Sequence, residues 1–191
     1  MKLLYFFIIS FSLLVTYYFN LATAQQPNQN EIVPLEKMAK LEGLLGPWET
    51  TNYAYSDGEW KQIATSKVTF LKKLKGKLIT EEISNLTPAT GFIVETFISY
   101  DQYRKTYRLA AVDDTFGLMD IYEGDWVDDA LFQLTNLRAG TNFPTQDGGS
   151  MYFRLSFTEL STDKREFLVE RSNDNGMTWS PMNKNEMSRI K

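Results

Sequence analysis

Cysteine and histidine are both absent from the 191 residues of this chain. Without cysteine, the chain has no disulfide, no thiol nucleophile, no thiolate metal ligand and no lipoprotein anchor. Without histidine, it has no imidazole base, no Ser-His-Asp triad, no His-ligated zinc and no proximal histidine for haem. These absences exclude most common designs of hydrolases and metalloenzymes. We therefore predict no metal site and no cofactor, and we assign no catalytic residue.

Basic residues are few and scattered along the chain. There are 20 Lys and Arg against 24 Asp and Glu, which gives a formal net charge of −4. A mildly acidic chain without a long basic cluster lacks the electrostatic footprint that binds phosphate backbones, so nucleic acid is not an expected partner. Attachment to a membrane surface through a basic face is equally unsupported.

Residues 1–24 have the features of an export signal. Met1-Lys2 carries a positive charge, and Leu3–Phe19 contains no charged residue. Ala22-Thr23-Ala24 then supplies the two small residues that a signal peptidase recognises. We predict cleavage after Ala24, a secreted or periplasmic mature protein, and no stable membrane anchor after cleavage. The alternative is an uncleaved anchor, because the apolar run approaches the roughly 20 residues that span a bilayer.

The remaining chain divides into a leader and one domain. Residues 25–33 are polar and predict a disordered leader, whereas residues 34–191 have the length of a single domain. Pro34 begins a stretch with apolar residues at helical spacing, and Gly43 and Gly46 end it. We expect one short amphipathic helix whose apolar residues are Leu35, Met38, Leu41, Leu44 and Leu45.

Beyond Pro47, segments of alternating polar and apolar residues are separated by turn signals such as Ser56-Asp57-Gly58 and Asn175-Gly176. This pattern indicates antiparallel strands joined by hairpins, since a parallel sheet would need helices between the strands. We predict ten strands: Trp48–Tyr55, Trp60–Lys73, Leu78–Asn85, Phe92–Asp101, Thr106–Asp113, Phe116–Glu123, Ala130–Leu137, Ser150–Glu159, Arg165–Ser172 and Trp179–Ile190.

We expect the strands to close into an all-β, antiparallel up-and-down barrel with one short N-terminal helix. Closure removes the two sheet edges that a sandwich would leave unpaired. A barrel of about ten strands is wider than one that side chains fill completely, so a cavity is expected. We predict that this cavity binds a small apolar or amphipathic molecule without catalysis. The predicted lining residues are Phe92, Val94, Thr96, Tyr107, Leu109, Phe116, Leu118, Phe153 and Leu155.

Two other functions fit the same predicted barrel. One is an enzyme that uses carboxylates and tyrosines of the lumen as acid and base, and the other is a structural or interaction module with a filled core. Glu81 and Glu82 cannot form a catalytic pair by themselves, because adjacent strand residues point to opposite faces. The acidic run from Asp113 to Asp129 does not reproduce a calcium-binding loop, and we expect it to be solvated.

The beginning and the end of the domain resemble calycins. Gly46-Pro47-Trp48 matches the Gly-x-Trp motif that opens the first strand of lipocalin-like, or calycin, barrels. Arg189 lies near the end of the last predicted strand, where calycins commonly carry a basic residue that stacks on this tryptophan. The resemblance implies a calycin-like barrel in which Arg189 contacts Trp48, and such a contact contributes about 0.5–2 kcal/mol.

More of the chain resembles the bacterial family called domain of unknown function 1579. Its members follow this opening with a hairpin like Ser56-Asp57-Gly58-Glu59-Trp60, and one of their strands ends like Tyr100-Asp101 before a polar turn and Tyr107. The resemblance extends over residues 41–189. It implies the same barrel, but the family supplies no established reaction and no catalytic residues.

Ser172–Trp179 fits the Asp-box pattern Ser-x-Asp-x-Gly-x-Thr-Trp of sialidases and other β-propellers. In those proteins the Asp caps its own turn, the Gly adopts a positive φ and the Trp packs beneath the turn. A propeller needs several blades, and this chain has one copy of the motif, so we predict a turn between the last two strands. The predicted structural residues are Trp48, Asp174, Gly176, Trp179 and Arg189.

Overall fold

Ten long strands pair in chain order and form a closed antiparallel barrel, which confirms the predicted fold class. The computed structural model describes residues 29–87 and 93–191, so the predicted signal peptide and Phe92 lie outside the described residues. Residues Pro34–Lys191 form one compact unit. The strands are β1 (Gly46–Ser56), β2 (Glu59–Lys73), β3 (Leu78–Thr87), β4 (Val94–Asp101), β5 (Thr106–Asp113), β6 (Met119–Trp126), β7 (Leu131–Thr135), β8 (Phe143–Pro144), β9 (Ser150–Ser161), β10 (Lys164–Ser172) and β11 (Ser180–Arg189).

The ring closes because the last strands return to the first. β11 pairs with both β1 and β10, and β10 also pairs with β9. The two-residue β8 pairs with the beginning of β9 and stands outside the ring of ten. Every ring strand therefore has a partner on both sides, although β3 and β4 pair only through residues 78–80 and 97–99.

In the described part of the chain, one α-helix precedes the barrel, but its limits differ from those predicted. α1 spans Gln29–Ala39, so it begins five residues before Pro34 and includes part of the segment expected to be a disordered leader. The polar composition of that segment was therefore a poor guide, because residues 29–33 continue the helix. A turn and a short 3₁₀ helix, Glu42–Leu44, follow α1 and carry the remaining apolar residues to the barrel. The helical segments in the described part of the chain are all too short or too polar to cross a bilayer.

The connections lie alternately at the two ends of the barrel. We call one end the closed end, because residues 34–45 cover it; its connections are residues 74–77, 102–105, 127–130 and 162–163. The opposite end is the open end, and its described connections are residues 57–58, 114–118, 136–149 and 173–179. Side chains that point into the barrel near these two ends differ in size and polarity.

The closed end is filled by apolar side chains. Met38, Leu41 and Leu44 are buried against the barrel, where Trp48 and Phe132 are also buried. Aromatic rings continue the packing, since the ring centroids of Tyr107 and Phe132 lie 5.0 Å apart in an edge-to-face arrangement. A cavity of about 10 Å³ under residues 40–44 has room for no more than about one water molecule. This half of the interior is a core and not a binding pocket.

β6 lies three residues further along the chain than predicted. The expected strand Phe116–Glu123 ended at Gly124-Asp125, but the observed strand runs from Met119 through both residues to Trp126. Gly124 is not a break because it lies directly opposite Leu134, where the neighbouring backbone approaches closely. A Cβ atom at this position would overlap the carbonyl oxygen of Gln133. The glycine thus permits strand pairing rather than ending it.

Candidate functional site

Small and polar side chains line the inner wall near the open end. On β1 these are Thr50, Asn52 and Ala54, whose cross-strand partners share the same face. The hydroxyl groups of Thr50 and Ser66 are hydrogen-bonded at 2.6 Å. The inner residues toward the open end, which we call the open half, are Asn52, Ala54, Ala64, Glu81, Ile83, Val94, Thr96, Ala111, Val169, Asn183 and Asn185; all are partly buried except Thr96, which is buried.

The most unusual inner residue of the open half is Glu81 on β3. Its cross-strand partner on β2 is the buried Phe70, so its side chain shares the inner face. The hydroxyl of Thr96 donates a hydrogen bond of 2.6 Å to the Glu81 carboxylate. Burial raises the pKa of Glu81 to about 7, and the hydrogen bond from Thr96 partly opposes this increase. Near neutral pH, Glu81 is therefore divided between its charged and neutral forms.

A second inner carboxylate, Asp120 on β6, is engaged in a buried network. Asn136 donates a hydrogen bond of 3.0 Å to it, and Thr141 donates a shorter one. The backbone amide of Ile121 adds a bond of 2.9 Å. Burial, together with the nearby charge and hydrogen bond of Asp120, raises the pKa of Tyr122. Asp120 thus holds the residue 136–149 connection against the barrel wall.

Glu81 and Asp120 lie in one row across the inner wall, which a hydrogen bond continues from β3 to β4 and the register continues from β4 to β6. Thr96 contacts Glu81, lies opposite Ala111 on β5, and Ala111 in turn lies opposite Asp120. Between the two carboxylates, the wall therefore carries only a threonine and an alanine. Both of these side chains are short.

Six of the predicted lining residues do lie on the inner face, but they differ in accessibility. Val94 and Thr96 belong to the open half, where Val94 is partly buried and Thr96 is buried. Tyr107, Leu109, Phe153 and Leu155 are buried in the core, where their side chains are packed against neighbours. Phe92, which was also predicted to line the lumen, lies outside the described residues.

Phe116 and Leu118 were wrongly predicted to line the lumen. They are 72% and 38% exposed, and both lie in the turn between β5 and β6. The carboxylate of Asp113 accepts hydrogen bonds from the backbone amides of Thr115, Phe116 and Leu118. This capped turn delays the beginning of β6 until Met119.

Sequence reasoning considered Glu81 only as a pair with Glu82 and did not place it in the lumen, although the sequence held a signal for that position. Ile79 and Ile83 have the same parity on β3 and are both inward, so Glu81 between them interrupts an apolar face. A charged residue in that position is rare unless it has a partner or a role. Asp120, Asn52 and Asn185 were missed for another reason, because their neighbours in sequence do not show which face is inner.

The predicted contact between Trp48 and Arg189 is present at the closed end. The two residues are cross-strand partners, and the guanidinium carbon of Arg189 lies 4.2 Å from the centroid of the Trp48 ring. The guanidinium also donates hydrogen bonds of 2.8 Å and 2.7 Å to the carbonyls of Leu45 and Gly43. Arg189 therefore ties the last strand to the first and to the 3₁₀ helix.

The Asp-box residues form the turn between β10 and β11. Asp174 accepts hydrogen bonds from the Ser172 hydroxyl at 2.6 Å and from the Thr178 amide at 2.9 Å, and these bonds lower its pKa to about 2. Gly176 has a φ of +82°. The guanidinium carbon of Arg154 lies 4.7 Å from the centroid of the Trp179 ring. All of these contacts are internal to the hairpin and its supporting strand.

Within residues 29–87 and 93–191, no group of three or more acidic side chains is arranged to hold a metal ion. Asp113 and Asp174 instead accept hydrogen bonds from their own turns. Asp128 does the same with the amides of Ala130 and Leu131. These three aspartates thus stabilise connections between strands.

The fold has a counterpart among solved structures. The crystal structure of Rv2717c from M. tuberculosis matches this chain with a TM-score of 0.55 and 12% sequence identity, covering 81% of this chain and 98% of that one. No family model and no curated protein matches the sequence. At this identity the similarity establishes a shared calycin-like barrel fold and nothing more.

Proposed function

We propose that this protein is an exported binding protein that holds a small amphipathic molecule in the open half of its barrel. One observation carries the proposal: most inner residues of the open half are small or polar and only partly buried, whereas the inner side chains next to the closed end are packed. Ile83, Val94 and Val169 offer apolar contacts, and Glu81 with Thr96 offers a polar anchor. A site with mostly apolar walls and a few convergent polar groups is typical of small-molecule binding.

Export is part of the proposal and rests on residues 1–24. The charged start, the apolar run and Ala22-Thr23-Ala24 are what a cleaved signal requires. Expression in a bacterial host followed by intact mass measurement tests it, because the exported form should begin at Gln25. Retention of residues 1–24 would instead indicate an anchored protein. The resemblance to the domain of unknown function 1579 family is likewise a proposal, and it agrees with a barrel without an assigned reaction.

Binding in the open half is tested by blocking it. Ala111 lies on the inner wall between Thr96 and Asp120, whereas its neighbour Ala110 has the opposite parity on β5 and points outward. We expect the unmodified protein to bind a neutral naphthalene dye with increased fluorescence. Ala111→Phe should abolish the increase, and Ala110→Phe should keep it. Equal binding by both variants, with thermal melts that show both to be folded, would place the dye elsewhere and contradict the proposal.

An enzyme on the same barrel is a second candidate, because one observation favours it. A carboxyl with a pKa of about 7 on the inner wall of a barrel is suited to general acid–base catalysis at neutral pH. The test is incubation with a small-molecule extract of the host, with products compared by mass spectrometry. Catalysis would be favoured by a compound that the unmodified protein consumes and the Glu81→Gln variant leaves unchanged. A compound that both variants retain unchanged would favour binding.

A further inference from the structure

The two inner carboxylates of the row described above differ in their remaining hydrogen-bonding capacity. Asp120 already accepts bonds from Asn136, Thr141 and a backbone amide. Glu81 accepts one bond, from Thr96, and makes no ion pair with any of the described residues. An ionised carboxylate has about four lone-pair sites, so Glu81 has acceptor positions left for a guest.

Basic side chains at inner positions lie toward the two ends of the barrel, away from the middle of its wall. At the closed end, Arg165 is paired with Glu159 at 2.7 Å, and Arg189 contacts Trp48 and backbone carbonyls. Lys72, opposite Ile79, is paired with Glu42. Toward the open end, Lys61 is paired with Asp57 at 3.0 Å.

Arg171 shares its inner position with Phe153 but is exposed at the open end of β10, far from β3 in the strand order. In the described strands, no basic side chain therefore lies on the inner wall next to the carboxylate of Glu81. A carboxylate in such an enclosure is poorly solvated, and a positive charge brought next to it removes that penalty.

We infer that the open half recognises molecules that carry an ammonium group on an apolar chain, with the ammonium donating hydrogen bonds to the carboxylate of Glu81. The hydroxyl of Thr96 holds one carboxylate oxygen, which orients the group toward the lumen. The apolar chain lies along Ile83, Ala111 and Val169, which are partly buried beside the core. This inference rests on the proposed function and names the class of its ligand.

The inference is tested with three ligands that share one apolar chain: decylamine, decanol and decanoate. Affinities are measured by calorimetry at about pH 8.5, where Glu81 is ionised and a primary amine, with a pKa near 10.4, is protonated. We expect decylamine to bind at least about tenfold more tightly than decanol, and decanoate to bind most weakly. Glu81→Gln should reduce the decylamine affinity at least about tenfold and leave that of decanol unchanged.

Glu82→Gln is the matched control, because Glu82 is the next residue on β3 and its exposed side chain points outward. It should bind all three ligands as the unmodified protein does. If decylamine binds equally well to the Glu81→Gln variant, or if decanoate binds most tightly, the inference is wrong while binding in the barrel stands. If none of the three ligands binds to the folded protein, the proposed function fails as well. Melting curves of every variant show that the folded state is present.

Discussion

Replacement of Glu81 by Gln should stabilise the protein at neutral and alkaline pH. Glutamine is close in size to a protonated glutamate and retains an acceptor for the Thr96 hydroxyl, but it cannot ionise. The pKa of Glu81 is raised from 4.5 to about 7 in the folded protein, so the folded state binds this proton more tightly than the unfolded state. The stability that this group contributes is complete below about pH 4.5 and is lost as the pH rises to about 7.

The size of the effect follows from the shift in pKa. Each unit corresponds to about 1.4 kcal/mol, and partial exposure of the side chain reduces the full value, so the expected loss is about 2–3 kcal/mol. The free energy of unfolding of Glu81→Gln should match that of the unmodified protein near pH 4.5 and exceed it by this amount near pH 8. Urea unfolding at several pH values measures the difference. The outward Glu82→Gln should show no such dependence, and a Glu81→Gln difference that stays constant with pH would refute the reasoning.

Three further predictions concern structural contacts. Arg189→Ala should lower the free energy of unfolding by about 1–4 kcal/mol, because it removes the contact with Trp48 and two hydrogen bonds to backbone carbonyls. Urea unfolding measures the loss, and a smaller value would contradict a role of Arg189 in closing the barrel. Gly176→Ala should lower the free energy of unfolding by about 1–3 kcal/mol, and Gly58→Ala should lower it less. Both glycines have a positive φ, but only a Cβ atom at position 176 would contact Leu137. Thermal melts compare the two variants. Asp174→Asn should reduce the stability that the protein loses as the pH falls from about 4 to about 2, because the low pKa of Asp174 stabilises the folded state above that range. Acid unfolding followed by circular dichroism measures this loss.

The strand ladder could be predicted from the sequence because period-two alternation and turn residues are local signals. β5 has the predicted limits, and β1 and β2 differ from them by no more than two residues. Closure of the barrel could also be predicted, since ten sequential strands joined by hairpins have few other ways to pair the two edges of their sheet. The contact between Trp48 and Arg189 came from the resemblance to calycins, and the structure shows it directly.

The interior could not be predicted as well, because alternation does not identify the inner face. Phe116 continues an apolar pattern into β6, but the three amides capped by Asp113 hold it in a turn. Gly124 was expected to end a strand, as glycines often do. Only the position of Gln133 on the neighbouring strand explains why a glycine lies within β6. Tyr107 and Leu109 were expected beside a ligand, yet residues 34–45 cover that end of the barrel and bury them. These outcomes depend on contacts between residues far apart in the chain.

The most direct test of a guest in the open half is methyl-resolved NMR during titration with a neutral naphthalene dye. Ile83 and Val169 report on the open half, whereas Ile98 and Leu134 are fully buried in the packed core. The proposed binding predicts saturable shifts at Ile83 and Val169, with Ile98 and Leu134 little changed. Absence of shifts at Ile83 and Val169, at dye concentrations that saturate the fluorescence, would contradict it.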